Sequence, residues 1–480
     1  MAHIAAPDAT WQVSNASDLE VLQAQFGRLT LQFANDRFPS LEKREQRLVK
    51  LKQALLEQQG ALVLAMTEDF GYRSRFDNVV GDIVPTLNHL NYTLKRVKKW
   101  MKPTRRHSGI FLFPSRVSVC YQPVGVVGIM VPWNFPLYLS LAPLITAIAA
   151  GNQAMVKLSE DTPKTNAVIK RIVAAIGDVA VCIEGPLAIA AEFSRLPFAH
   201  LLFTGSTAVG KLVAQAAAAN LTPVTLELGG KSPVIIAADA DLDKAVDHIL
   251  FGKTLNSGQV CVAPDYVMLP QEKVNAFVEL YLKRFKACFV SRKGQLENSA
   301  IINDRQYQRL QAMLDDAKQQ GGTLHNLQCE LQLETRQMAP VLVTNTKDDM
   351  LLMQNEIFGP ILPVIGYRTI EEAIQRVNEQ ASPLALYLMT RDKDIHDYVL
   401  KGTHSGGVAV NDTVFQSVVD DSPFGGFRES GLGAYHGIEG FKAFSHGKTV
   451  FTSWHHWPRT WLMLRYRKAI VHLLKRWVIR

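Results

Sequence analysis

Cysteine is scarce. The 480 residues contain five, Cys120, Cys182, Cys261, Cys288 and Cys329, with no CxxC pair and no metal-ligand spacing. That excludes a disulfide scaffold and a zinc-cluster protein, so no metal site is expected. It suits a reducing compartment, where a single thiol can carry chemistry. The first residues, MAHIAAPDATWQVSN, lack a basic segment followed by an apolar one, so no signal peptide is expected. No Asp, Glu, Lys or Arg occurs from Val117 to Val156, yet Pro123, Pro132, Pro136 and Pro143 interrupt that stretch. Four prolines exclude a continuous spanning helix and predict a buried strand followed by a buried helix. No repeat or low-complexity tract is present. With 47% apolar and 20% charged residues the composition is that of a globular chain, long enough for two or three domains.

Acidic residues are missing from two further segments. Lys95–Arg106 holds seven basic residues and no acid, and Trp454–Arg480 holds seven more and again no acid. The rest of the chain carries 38 basic and 44 acidic side chains, so the formal charge of +8 belongs to two patches. Such patches suit phosphate, anionic lipid or an acidic partner. The first patch also reads as a solvated helix end leading into a loop at Pro103.

Residues from about 17 to 101 read as helical. Thereafter strand-like and helical segments alternate. GVVGIMV (125–131), AMVKL (154–158), HLLFTG (200–205), VTLEL (224–228) and PVIIA (233–237) each read as a strand. Helices are expected near 137–150, 163–176, 207–219 and 241–250. The rhythm resumes with DYVMLP (265–270), PVLVT (340–344), PVIGY (363–367), LALYLMT (384–390) and GGVAVN (406–411). Alternation of this kind implies parallel sheets with right-handed crossovers, here in two α/β domains with a boundary near residue 229.

Several segments carry candidate chemistry. Cys261, in NSGQVCVAPDY, falls at the start of a helix or in a tight turn, where oriented backbone N–H groups favour a thiolate. An ordinary buried cysteine is the alternative. Glu227 ends an apolar strand before Gly229 and Gly230; facing a crevice, its desolvated carboxylate would become a general base, and facing solvent it would be a plain strand-end charge. Asn134 sits in a turn set by Pro132 and Pro136, able either to donate to an oxyanion or to cap its own backbone. Gly205 and Ser206, in FTGSTAVGK, form a strand–glycine–helix junction whose amides could meet a phosphate, although GxxxxG alone is a weak signal. Lys157 and Glu160 follow another strand and read either as ribose contacts or as surface charges.

Together these segments resemble the aldehyde dehydrogenase superfamily. The agreement runs in order through PWNFP (132–136), MVKLSE (155–160), FTGSTAVG (203–210), LELGGK (226–231), NSGQVC (256–261), NEIFGP (355–360) and PFGG (423–426), over about 290 residues. CVAPDY (261–266) and SGLGAYHG (430–437) resemble the class 3 branch. MKPTRR (101–106), YQPVGVVGIMVPWN (121–134) and DDSPFGG (420–426) resemble its coniferyl aldehyde dehydrogenases. Phe427-Arg428-Glu429 departs from class 3, where smaller residues are usual.

The resemblance implies an α/β fold with a Rossmann-like nucleotide-binding domain, a second α/β catalytic domain and a small bridging β element. The expected domains are 1–108 with 123–228 for the cofactor, 229–411 for catalysis, 109–122 with 440–453 for bridging strands, and 454–480 as an appendage. It implies Cys261 as nucleophile, Asn134 as oxyanion donor and Glu227 as base for thioester hydrolysis. It further implies Trp133, Lys157, Glu160, Gly205, Ser206, Gly229, Glu356 and Phe358 around NAD, with NADP left open. The expected activity is oxidation of an apolar aldehyde, coniferaldehyde-like or long-chain, by a cytoplasmic homodimer. A membrane- or nucleic-acid-binding protein on a retired enzyme scaffold is the competing class. The intact Cys261, Glu227 and Asn134 oppose it, and neither basic patch shows a nucleic-acid module.

The last 27 residues hold four of the seven tryptophans. At 100° per residue, Met463, Tyr466, Ile470, Leu473, Leu474, Trp477 and Val478 share one face and Arg465, Lys468, His472, Lys475 and Arg476 the other, predicting a basic amphipathic helix. It would lie on an anionic membrane at its inner face, cover a partner subunit's substrate entrance, or pack on its own subunit.

Overall fold

A computed structural model describes residues 16–327 and 331–478. The opening segment MAHIAAPDATWQVSN, Cys329 and the last two residues of the tail lie outside the described residues.

Three sheets organise the chain. A six-stranded sheet runs in the order Gly431–Leu432, Val224–Leu228, His200–Gly205, Val126–Met130, Gln153–Lys157, Ala180–Ile183. Its strands are parallel except Gly431–Leu432, which returns antiparallel against Leu226 and Glu227. From the central Val126–Met130 the chain first builds one side of the sheet and then crosses to His200–Gly205 on the other. That reversal opens a crevice at the carboxyl ends of these two strands. A seven-stranded sheet runs Thr323–His325, Val341–Thr344, Ile361–Tyr367, Tyr266–Pro270, Pro233–Ile236, Ala385–Met389, Gly407–Val410, parallel apart from its first strand. A three-stranded antiparallel sheet joins Thr104–Arg106, Arg116–Pro123 and Ser445–Thr452.

The proline-interrupted uncharged stretch folds as the buried strand Val126–Met130 and the helix Pro136–Ala150. Pro136 starts the helix at a position where no N–H is needed. Every residue of that helix except Leu139 is buried. Both of its ends are satisfied by charged side chains from other helices. Asp82 Oδ1 accepts from the amides of Leu137 (3.2 Å) and Tyr138 (2.9 Å). At the other end Arg44 Nη1 donates to the Ala149 carbonyl at 2.8 Å. An anion at the amino end and a cation at the carboxyl end both oppose the helix dipole. Arg44 is buried, and burial pulls its guanidinium down to about 10.

One expectation is narrowed and two are corrected. Of the two settings expected for Cys261, the tight turn is the one observed, closed by the Ala263 amide on the Val260 carbonyl. The segment assigned to a bridging strand from residue 440 is helical over Gly437–Ala443 and extended only over Ser445–Thr452. The tail forms two helices, Arg459–Arg465 and Arg467–Trp477, broken at Tyr466 (φ −112°, ψ 25°). Its apolar side chains, Trp461, Leu464, Leu473 and Trp477 among them, are exposed, so the apolar face does not pack on its own subunit. No described helix is long and apolar enough to cross a membrane.

Candidate active site

The six-stranded sheet presents its carboxyl ends to the amino ends of the seven-stranded sheet. From the first come Pro132–Asn134 after Met130, Gly205 and Ser206 after Thr204, and Glu227 near the end of its strand. From the second come Cys261 before Tyr266 and Glu356–Phe358 before Ile361. These meet in a cavity of about 490 Å³ that is lined by Trp133, Asn134, Gly205, Ser206, Glu227, Gly229, Cys261, Glu356 and Phe358. A second, narrower cavity of about 100 Å³ opens from the other side of Cys261, walled by Phe135, Tyr138, Val260, Val262, Phe415, Phe424 and Tyr435 among others. Cys261 and Leu139 line both. A larger space of about 770 Å³ elsewhere touches none of the site residues.

Asn134 is held from several sides. Its carbonyl accepts from Arg73 Nη2 (3.2 Å) and from Asn256 Nδ2 (3.0 Å), and its own Nδ2 donates to the Gln259 carbonyl at 3.0 Å. Arg73 in turn pairs with Asp82 at 2.7 Å, and both side chains are 0% exposed. Asp82 belongs to a π-helical stretch, Asp77–Ile83. Such insertions recur at functional sites because the extra residue re-aims its neighbours. In the same stretch a Cβ on Gly81 would fall 2.6 Å from the Phe135 ring, so glycine lets the asparagine turn pack close. The turn before Cys261 is unusual too. Asn256 (φ 48°) and Ser257 (φ 55°) are left-handed, a conformation that asparagine tolerates better than most residues.

Glu227 is buried, and neither carboxylate oxygen has a hydrogen-bond partner among the described residues. Burial raises its pKa well above the ordinary 4.5. Cys261 is pushed up to about 12, first by burial and then by the nearby carboxylates Glu356 and Glu227; the backbone amides of Cys261 and Val262 oppose the shift. Glu356 rises to about 8 by burial and by repulsion from Asp265, while a hydrogen bond from the Gly230 amide holds it back. A Cβ on Gly229 would collide with the Glu356 carboxylate, so the carboxylate keeps its place only while residue 229 has no side chain. The loop bearing Glu356 is anchored by Lys231, which bonds the Asn355 carbonyl at 3.0 Å and pairs with Asp265. Asp265 Oδ2 accepts from the Ile357 amide at 2.9 Å. Phe358 (φ 49°) meets the Trp133 ring edge-on at 5.3 Å.

Lys157 and Glu160 stand apart from the lining of this cavity. Lys157 is buried at its strand end and bonds the Leu158 carbonyl at 2.7 Å; Glu160 is exposed and pairs with it at 3.5 Å. Sequence reasoning missed Arg309, whose guanidinium holds the Glu356 and Ile357 carbonyls, and the Arg73–Asp82 pair. Their neighbours in sequence carry no periodicity or motif that singles them out.

Comparison with known proteins agrees with this geometry. The chain matches the Aldehyde dehydrogenase family over residues 30–450. It is 46% identical over 447 residues to a probable coniferyl aldehyde dehydrogenase of Pseudomonas aeruginosa, covering 93% of this chain and 94% of that one. It is 42% identical to the coniferyl aldehyde dehydrogenase of a Pseudomonas species, covering 86% of each. Among solved structures, the substrate-bound AldH of Staphylococcus aureus superposes with a TM-score of 0.86 at 33% identity, over 94% of this chain and 99% of that one. A betaine aldehyde dehydrogenase of the same organism, in complex with NAD+, gives 0.82 at 25% identity over 92% and 91%. With its two-sheet α/β architecture and a cysteine between two cavities, the chain belongs to the aldehyde dehydrogenase family.

Proposed function

We propose that the protein oxidises an apolar aldehyde, aromatic such as coniferaldehyde or long-chain, to the carboxylic acid, with NAD as cofactor. The observation that carries this reading is the position of Cys261 between two unlike cavities. The narrow one has no charged side chain in its lining and ends on aromatic rings, which suits an apolar aldehyde and disfavours a carboxylate-bearing one. The wider one suits a nicotinamide dinucleotide. It has a helix amino terminus at Ser206, an aromatic pair at Trp133 and Phe358, and a buried Glu356 seated where any Cβ on Gly229 would collide.

In this reading Cys261 releases its proton to solvent and its sulfur adds to the aldehyde carbon, forming a thiohemiacetal. Asn134 Nδ2 and the Cys261 amide stabilise the oxyanion, and losing one such donor costs on the order of a hundredfold or more. A nicotinamide held against Trp133, Glu356 and Phe358 would supply the hydride acceptor, and the oxidised carbon then stays on Cys261 as a thioester. Glu227 removes a proton from the water that attacks the thioester; the acid departs and the thiol is restored. A buried carboxyl with a raised pKa is a stronger base near neutrality than an exposed one. Glu160 beside Lys157 favours NAD over NADP, because a carboxylate near the ribose repels a 2′-phosphate.

The test is aldehyde-dependent reduction of NAD and of NADP across coniferaldehyde, benzaldehyde and a series of alkanals, with Cys261→Ala as the blank. Turnover lost in the variant supports the nucleophile; equal turnover in both overturns it. The expected assembly is a homodimer through 109–122 and 440–453, supported by the largely exposed strand Ser445–Thr452 at a sheet edge.

A second element of the proposal is peripheral binding of residues 454–480 to an anionic membrane. The exposed apolar side chains of the tail and its lack of any acid favour it. Identical pelleting with anionic liposomes by a chain ending at Ser453 would exclude the tail as anchor.

A further inference from the structure

The narrow cavity beside Cys261 measures about 100 Å³. Sites that bury a whole small molecule hold about 300–1,000 Å³. An aldehyde seated on Cys261 therefore outgrows this cavity after its first few carbons. The third cavity, of about 770 Å³, touches none of the catalytic side chains but shares a wall with the narrow one. Phe251 and Leu255, one turn apart at the end of the helix Leu242–Thr254, line both. The two cavities lie in one seam. Across from that helix, Val80 and Gly81 of the π-helical stretch border the narrow cavity, while Phe76 and Asp77 border the third. A row of rings crosses the boundary. Phe76 meets Phe251 edge-on at 6.4 Å, and Phe251 stacks on Phe415 of the narrow cavity at 5.1 Å. The lining of the third cavity comes from residues 72–77, 247–255, 284–298 and 334, none of them in the bridging segments 109–122 and 440–453 or in the tail.

Much of that lining is apolar, with Leu250, Phe251, Leu255, Phe289 and Leu296 among it. Its polar groups are mostly acceptors. Asp77, Glu297 and Glu334 contribute carboxylates, and the one cation among the described lining residues, Arg284, is already paired with Asp243 (3.1 Å) and Asp247 (2.6 Å). Burial first, and then Glu297, Asp77 and Glu334, raise the Tyr72 hydroxyl above its ordinary value, so all three carboxylates act on one point of the cavity. Asn298 is 2% exposed. Its Nδ2 donates to Ser257 Oγ (2.9 Å) and to the Met338 carbonyl (3.0 Å), whereas its Oδ1 has no partner among the described residues. A buried acceptor left open at a cavity wall fits a ligand that brings a donor.

We infer that the third cavity is the subsite for the distal end of the aldehyde, reached over the Phe251 ring, and that it selects a long apolar chain whose end carries a hydroxyl rather than a carboxylate. This rests on the reading that Cys261 oxidises an aldehyde held in the narrow cavity. Three observations choose this occupant. The shared wall at Phe251 and Leu255 makes the two cavities continuous along one seam. The row Phe76, Phe251 and Phe415 gives methylene groups an apolar path between them. The surplus of acceptors, with Asn298 Oδ1 open among them, sets the end group, because a carboxylate there would meet three others with no free cation.

The experiment measures kcat/KM of the full chain with NAD for unbranched alkanals from butanal to dodecanal, and for ω-hydroxydodecanal against the ω-carboxy aldehyde of equal length. Each methylene moved from water into an apolar cavity is worth about threefold to fourfold in binding. Wild-type kcat/KM is therefore expected to keep rising along the series, and the ω-hydroxy substrate to exceed the ω-carboxy one. Cys288 is exposed and lines only the third cavity, so Cys288→Trp takes up its space without touching the narrow one. It is expected to lower kcat/KM for dodecanal by about tenfold or more, the worth of two methylenes, and to leave butanal within about twofold. Glu297 and Glu334 are exposed as well, and the pair Glu297→Gln, Glu334→Gln is expected to narrow the hydroxy-to-carboxy preference by about threefold or more. This second variant changes no volume and guards against misfolding of the first. A kcat/KM that stops rising after the shortest alkanals overturns the inference and leaves the aldehyde reading standing. So does an unchanged dodecanal rate in Cys288→Trp, an equal loss for butanal and dodecanal, or an unchanged preference in the double variant. No turnover of any aldehyde by wild type overturns both.

Discussion

Replacing Arg73 by Met removes one half of a fully buried ion pair. The side chains of Arg73 and Asp82 are each 0% exposed and lie 2.7 Å apart. The substitution leaves the Asp82 carboxylate with two amide donors, at 3.2 and 2.9 Å, and no cation. Breaking a buried pair in this way costs about 3–5 kcal/mol, because the remaining charge is desolvated without compensation. Burial already raises the Asp82 pKa and Arg73 opposes that rise, so the variant raises it further. The deficit relative to wild type therefore grows as pH rises, since only the ionised carboxylate misses its partner. Catalysis suffers separately. The Asn134 carbonyl loses the 3.2 Å bond from Arg73, and Asn134, the proposed oxyanion donor, is held by Asn256 and Gln259 alone. Turnover should fall about tenfold or more, bounded by the hundred- to thousandfold loss expected on removing the donor itself. Urea unfolding followed by tryptophan fluorescence, at pH 5 and pH 8, measures the first effect; steady-state turnover of coniferaldehyde measures the second. Adding Asp82→Asn should restore much of the stability, because no charge is left unpaired, yet little of the turnover. A double variant with wild-type turnover, or a single variant as stable as wild type at pH 8, would refute the reasoning.

Glu227→Gln should retain a single burst of reduced cofactor and lose steady turnover by about a hundredfold or more, the usual worth of a positioned base; rapid-quench kinetics with an unchanged steady rate would sink that role. The same substitution should stabilise the fold above pH 4.5 and not below it. The folded carboxyl keeps its proton to higher pH than the unfolded one, so its contribution is full below 4.5 and is lost as pH rises through the raised value. Thermal unfolding of both proteins from pH 4 to 9 tests this, and a constant difference would contradict it. Gly229→Ala should raise the KM for NAD by about tenfold or more and leave Cys261 alkylation intact, because the new methyl group displaces the Glu356 carboxylate.

Much of the fold was legible because its signals are local. Apolar runs bounded by glycine or proline predicted the strands 126–130, 153–157, 200–205 and 224–228 to within one or two residues. Four prolines excluded a membrane span where hydropathy invited one. The ordered motifs identified the family, since a glycine that must admit Glu356 or an asparagine in a proline-bounded turn leaves a fixed residue at a fixed place. The tail was read less well. Its helical periodicity continues through Tyr466, and the break there depends on backbone angles that no periodicity encodes.

What the sequence determined by itself is most of the parallel strands, the family and the candidates Cys261, Glu227 and Asn134, because each depends on side-chain type and short-range spacing. What only the tertiary structure decided is how they act together. The reversal of strand order puts Asn134 and Ser206 at one crevice. The meeting of two sheets places Cys261 between an apolar cavity and a wider one. A buried Arg73, 61 residues from Asn134, holds the asparagine carbonyl. These are long-range pairings, set by the packing of whole layers, and burial of the carboxylates there raises their pKa values, which a sequence read one segment at a time does not contain.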